Sequence, residues 1–126
     1  MSGFEKAVHV RVSSLGDLVR LASTLASRMI VMPVYRVSRD GRTVYFLQMM
    51  YKDYYKYYGL PIVYYYVEED ASKSAEEAKY ILARSDETGE KIEISRKTRP
   101  GWLAIPLVNL EEVPSYLDEE VLLGRS

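Results

Sequence analysis

The dipeptide Asp40-Gly41 lies between two runs rich in β-branched and aromatic residues, 30–37 and 43–51. Asp-Gly at such a junction is a strong hairpin signal, because both central positions of the tight turn require φ > 0. Pro33 inside the first run predicts an edge strand or a bulge. Arg39 and Arg42 flank the turn, with Arg36 just before it.

Further short alternating runs continue the pattern. Residues 4–12 set Phe4, Lys6, Val8, Val10 and Val12 against Glu5, Ala7, His9 and Arg11, as in a strand. Residues 62–67 place Val63, Tyr65 and Val67 on one side and Ile62, Tyr64 and Tyr66 on the other. Residues 80–85 and 91–96, joined across Asp86-Glu87-Thr88-Gly89-Glu90, predict a second hairpin. The rival is a helix that starts near Ser74-Ala75-Glu76-Glu77 and runs to Ser85. Pro100-Gly101 marks a turn, and 102–107 is extended, with Pro106 again suggesting an edge.

Helical spacing occurs where strands do not. Ser14-Leu15-Gly16-Asp17 is a capping-box pattern with Asp in the usual Glu place. Leu15, Leu18, Val19, Ala22, Leu25, Ala26 and Met29 then form one apolar stripe, which predicts a helix over about 15–28. Asp53 to Gly59 reads as a short helix stopped by Pro61. Pro114-Ser115 opens a closing helix with Leu117 and Val121 inward and Gly124 as its stop. The expected fold is a single α+β domain over residues 1–126. Its sheet is mainly antiparallel, built from hairpins, with the helices on one face.

Composition removes several chemistries. With no cysteine, disulfides, thiolate zinc sites and a cysteine nucleophile are excluded. His9 is the one histidine, and no local motif supplies it with an orienting partner, so a packed structural role is its expected one. Glu68-Glu69-Asp70, Glu111-Glu112 and Glu119-Glu120 could hold a divalent cation only if their oxygens converged; adjacent acids at element ends usually face solvent. There is no phosphate-cradling glycine pattern and no Gly-x-Ser-x-Gly elbow. The expectation is a protein without catalysis, cofactor or metal. No apolar stretch approaches the ~20 residues of a membrane span. A cytoplasmic location follows by default. The single Asn and single Gln, beside abundant Glu, Lys and Arg, fit a thermophilic source.

A net charge of −1 conceals a split. Residues 1–66 carry nine Lys and Arg against four acids, a net of +5, and the remainder nets −6. Such asymmetry points to a basic face, or simply to an ordinary mixed surface. The tyrosines sharpen the choice. Eight of the 12 fall within residues 51–66. Strand tyrosines normally pack, with the ring buried and the hydroxyl wet. The five in Tyr51-Lys52-Asp53-Tyr54-Tyr55-Lys56-Tyr57-Tyr58 cannot all enter one core from one short segment. Some rings must stand near the surface beside Lys52 and Lys56.

Exposed aromatics interleaved with cations suit single-stranded nucleic acid, whose bases stack on flat rings while Lys and Arg neutralise phosphates. The stacking candidates are Tyr54, Tyr55, Tyr57, Tyr58 and Trp102. The phosphate contacts are Arg36, Arg39, Arg42, Lys52, Lys56, Arg96, Lys97 and Arg99. If the two basic loops flank the tyrosines, they form a cleft with an aromatic floor and basic walls. The same rings could form a protein–protein interface, where Tyr, Trp and Arg are also enriched.

The run Tyr51-Lys52-Asp53-Tyr54-Tyr55-Lys56-Tyr57-Tyr58-Gly59-Leu60-Pro61 with Tyr64-Tyr65-Tyr66 resembles the ThermoDBP family of thermophilic archaea. The Asp86-Glu87-Thr88-Gly89-Glu90-Lys91 turn and the Arg99-Pro100-Gly101-Trp102 corner are similar in style, and the likeness spans about residues 30–110. The resemblance implies a compact α+β domain with a cleft apolar at its base and basic along its sides. It also implies non-catalytic binding of single-stranded DNA or RNA through the tyrosines of 51–58, Lys52, Lys56 and the two basic loops. Some members assemble through a C-terminal leucine zipper. Here only Val121, Leu122 and Leu123 follow Leu117, too few for heptads, so any self-association would be weak and zipper-free.

Overall fold

The computed structural model describes residues 7–30, 32–49, 61–71, 76–84, 91–115 and 117–124. The elements in chain order are β1 (Val8–Arg11), α1 (Leu15–Ser27), β2 (Val34–Arg39), β3 (Arg42–Met49), β4 (Ile62–Glu68), β5 (Tyr80–Arg84), β6 (Ile92–Ser95), β7 (Trp102–Asn109) and α2 (Glu119–Leu122). The strands form one seven-stranded sheet in the order β1-β4-β3-β2-β7-β5-β6.

The α+β class holds, but the sheet is mixed. β1 lies parallel to β4, and β2 parallel to β7, while β2–β3, β3–β4, β5–β6 and β5–β7 are antiparallel. The antiparallel hairpins β2–β3 and β5–β6 are encoded locally by turns and alternation. The parallel pairs join segments far apart in sequence, and alternation carries no information about which distant strand becomes the neighbour.

Nor do the prolines mark edges. Pro33 directly precedes β2, which is interior, so its missing N–H lies outside the ladder. Pro106 sits inside β7, where that strand changes partners. Leu107 N–H donates to Lys79 on the β5 side, so the Pro106 nitrogen faces the β2 side, and β2 pairing begins only at Leu107. A residue without a donor is tolerated at that gap.

The two faces of β3 explain the layers. Tyr45, Leu47 and Met49 cluster with Leu18, Val19, Ala22 and Leu25 of α1, and with Val34, Ile81, Ile105 and Leu107. Val44 and Phe46 point the other way, into Val37, Val63, Tyr65, Val67, Leu117, Leu122 and Leu123. The helices therefore lie on opposite faces and not on one: α1 covers one side, and the C-terminal segment with α2 straps the other. The closing helix also starts later than Pro114, at an Asp118 cap that accepts from the Glu120 and Val121 amides. Gly124, at φ 71, terminates it as expected. Each fully buried Leu or Phe in these clusters contributes ~1.5–3 kcal/mol by leaving water.

α1 forms where its stripe predicts. Ser14 Oγ accepts from Asp17 N–H at 3.1 Å. The Asp17 carboxylate accepts from Ser13 Oγ and from Arg20 at 2.6 Å. Those donors, Ser13 first, hold its carboxyl below the usual range. The helix ends in a Schellman pair, with Met29 N–H on the Ala26 carbonyl at 2.9 Å and Ile30 N–H on Leu25 at 3.0 Å. That geometry puts Met29 at φ 66 and leaves it 93% exposed. A Cβ in the left-handed region is unfavourable and the side chain recovers nothing by packing, so Met29→Gly is expected to stabilise by about 0.5–1 kcal/mol. An unchanged urea midpoint would contradict this account of the turn.

Glu76 and Glu77 lie in a turn rather than a helix, and β5 pairs with β6, which decides residues 80–84 for strand. The expected helix over 53–59, the strand start at 4–6 and the 86–90 turn lie outside the described residues.

Candidate nucleic-acid interface

The three arginines of the first hairpin take structural posts. Arg36 is 3% exposed. Its Nε donates to Asn109 Oδ1 at 2.7 Å and its Nη2 to the Glu76 carbonyl at 2.8 Å, while Asn109 Nδ2 reaches the same carbonyl at 2.9 Å. The parallel register that places Arg36 beside Asn109 creates this clamp. Arg36 forms part of a cleft of ≈ 440 Å³ that also includes Glu76, Glu77 and Glu111, an acidic setting unsuited to phosphate. The expected solvent-facing cation is thus a buried one.

Arg39 donates to the Glu111 carbonyl at 3.0 Å and lies 3.7 Å from the Glu119 carboxylate. Arg42 donates to the Leu123 carbonyl and lies 3.9 Å from Glu69. Both fasten the C-terminal strap to the hairpin turn. The β2–β3 turn that carries them opens β3, whose other end, at Met49, lies roughly 25 Å away along the strand. Lys52, Tyr54, Tyr55, Lys56, Tyr57 and Tyr58 themselves lie outside the described residues.

The second basic loop is different. Arg99-Pro100-Gly101-Trp102 forms a β-turn closed by Trp102 N–H on the Arg99 carbonyl at 3.2 Å, with Gly101 at φ 80. Pro at the second position and a positive-φ glycine at the third are the requirements of a type II turn. The turn brings its first and fourth residues together, and the Arg99 guanidinium lies over the Trp102 ring, 5.6 Å from its centroid. Glu93 grips that guanidinium with both oxygens, at 2.8 and 2.6 Å. Arg96 pairs with Glu77 at 2.5 Å between well-exposed side chains. Lys97 follows a Ser95 turn in which the Lys97 N–H donates to Ser95 Oγ at 3.1 Å.

Strand alternation sets the face. Leu103, Ile105, Ile81, Ala83, Ile92 and Ile94 belong to the α1 cluster, so Trp102, Ala104, Leu82, Tyr80, Arg84 and Glu93 point to the opposite side. The loop 96–101 carries the chain from β6 to β7 past intervening β5, and Arg99 reaches back to Glu93 on this face. The structure therefore brings Arg99 and Trp102 together and keeps Arg39 and Arg42 with the strap. Glu93, the group that orients Arg99, was missed in the sequence. Its one signal is a charge alternating with Ile92 and Ile94, which reads as an ordinary strand exterior.

His9 packs edge-on to Tyr65, ring centroids 6.3 Å apart, and its Nδ1 is buried without a hydrogen-bond partner. Burial holds the imidazole below its ordinary pKa, and the Asp118 carboxylate opposes that shift. Between the lowered folded value and the unfolded ~6.5, the unfolded chain binds more protons. Stability is therefore full above about pH 6.5 and declines as pH falls towards the folded value. His9→Gln should flatten that decline in urea midpoints compared at pH 7.5 and 5.5; an equal slope in both proteins would assign it elsewhere.

Among the described residues no three His, Asp or Glu side chains converge as metal ligands, and no helix is long and apolar enough to cross a membrane. Neither the family models, nor the curated proteins, nor the solved structures contain a match to this chain.

Proposed function

We propose that this chain is a non-catalytic binder of single-stranded nucleic acid, DNA or RNA, acting in the cytoplasm. The observation that carries the reading is the Arg99 guanidinium laid over the Trp102 indole on a loop that also presents Arg96 and Lys97. Flat π-faces beside cations are what an unpaired strand needs: bases to stack, phosphates to neutralise. The ion pair between Arg96 and Glu77 is solvent-exposed, and such single-contact pairs are worth only ~0–1 kcal/mol, so a phosphate can compete for Arg96. The tyrosine and lysine run of 51–58 adds stacking and charge in this proposal, as does the ThermoDBP resemblance on the motifs quoted above. Weak, zipper-free self-association belongs to the same proposal.

A protein-interaction module is the second reading. Met29 and Ile30, 93% and 49% exposed at the end of α1, favour it. Anisotropy titrations of labelled single-stranded DNA, single-stranded RNA and duplex at two salt concentrations separate the two. The nucleic-acid reading requires single strands to bind more tightly than duplex. It also requires affinity to fall ~0.7 log unit per log unit of salt for each phosphate contacted. No binding by any strand, with self-association on sizing, would transfer the assignment to the interaction module.

A further inference from the structure

The geometry of the β6–β7 loop points to a more specific arrangement, and it rests on the nucleic-acid reading above. We infer that Arg99 serves as a stacking plane rather than a phosphate contact: an unpaired base lies on its outer face, making a base–guanidinium–indole stack that Glu93 holds in register.

Both terminal nitrogens of Arg99 are committed to Glu93, at 2.8 and 2.6 Å. A fork-to-fork pair of this kind fixes the guanidinium plane and occupies the edge that would otherwise grip a phosphate. The guanidinium carbon lies over the Trp102 ring, 5.6 Å from its centroid. The Arg99 side chain is nevertheless 50% exposed, while Trp102 is only partly so, leaving the guanidinium as the outer flat surface of the pair. The charge of Arg99 is largely neutralised by its partner, so what remains on offer is a π-like plane, and bases stack on guanidinium planes as they do on aromatic rings. Lys97, two residues earlier on the loop and exposed, supplies the charge for the adjoining phosphate. The occupant is thus a single splayed nucleotide of an unpaired strand; a base inside a duplex cannot offer its face.

The test compares Arg99→Lys, Arg99→Gln, Glu93→Gln and Lys97→Gln with the unaltered protein, using labelled oligothymidylate in anisotropy titrations across salt. Thermal melts confirm that each variant is folded. Arg99→Lys keeps the charge and loses the plane. It should weaken binding about tenfold, as far as Arg99→Gln does, with the salt slope of both unchanged. Lys97→Gln should lower the slope by ~0.7. Glu93→Gln, which leaves Arg99 in place, should weaken binding without changing the slope. Retained affinity in Arg99→Lys, or tighter binding with a steeper slope in Glu93→Gln, would make Arg99 a charge contact and overturn this inference alone. Absence of binding by the unaltered protein would remove the functional reading as well.

Discussion

Arg36→Ala is expected to lower the stability of this protein by about 3 kcal/mol, the worth of two charge-assisted hydrogen bonds at a buried position. The side chain ties β2 to Asn109 on β7 and to the Glu76 carbonyl. Its removal leaves the Asn109 Oδ1 and the Glu76 carbonyl without that donor and empties the buried space the guanidinium fills. Against a total stability of ~5–15 kcal/mol, that loss is large. The urea midpoint of the variant measures it directly. The substitution should leave the salt slope of strand binding untouched in whatever fraction stays folded, because the guanidinium does not face solvent. A shift of the midpoint below about 0.5 kcal/mol would mean that the clamp contributes nothing, and a reduced slope would return Arg36 to the binding surface.

Trp102→Leu carries the largest functional effect. Removing the indole beneath Arg99 dismantles one stacking platform, and such a platform is worth ~1–3 kcal/mol per base, so affinity for an oligothymidylate should fall roughly tenfold to a hundredfold. The substitution lies at the first residue of β7, and Leu retains apolar bulk against the neighbouring strand, so the fold should survive. Circular dichroism and the melting midpoint check that survival, and anisotropy reads the affinity. Tyr45→Leu is a useful contrast: its ring is fully buried in the α1 cluster, and it should cost stability and not specific strand contacts. Unchanged affinity in Trp102→Leu would remove the described loop from the binding surface.

Several elements of the candidate site are legible in the sequence. Arg99-Pro100-Gly101-Trp102 dictates its own turn, since Pro presets one φ and Gly accepts the positive one. The proximity of the guanidinium to the indole follows from that turn. The roles of Arg36, Arg39 and Arg42 were not legible. All three sit in a sequence context that reads as a basic hairpin tip. Their burial or capture arises from β7 and the C-terminal strap, which lie some seventy residues or more further along the chain in the bonds to Asn109, Glu111 and Leu123. Glu93 was equally silent, because an acid on a strand exterior looks the same whether it meets water or an arginine.

The division has one physical cause. Turns, caps and alternation are interactions among residues a few positions apart, and their geometry is set by backbone sterics and side-chain chemistry that any reader of the chain can weigh. Asp40-Gly41, the Ser14 cap and the two faces of β4 are of this kind, and each appears in the fold as expected. The parallel neighbours β1–β4 and β2–β7, the helices on opposite faces and the fate of each cation depend on which distant segments pack together. That choice belongs to the summed burial of the whole molecule, where many weak contacts compete and no local stretch holds the deciding share.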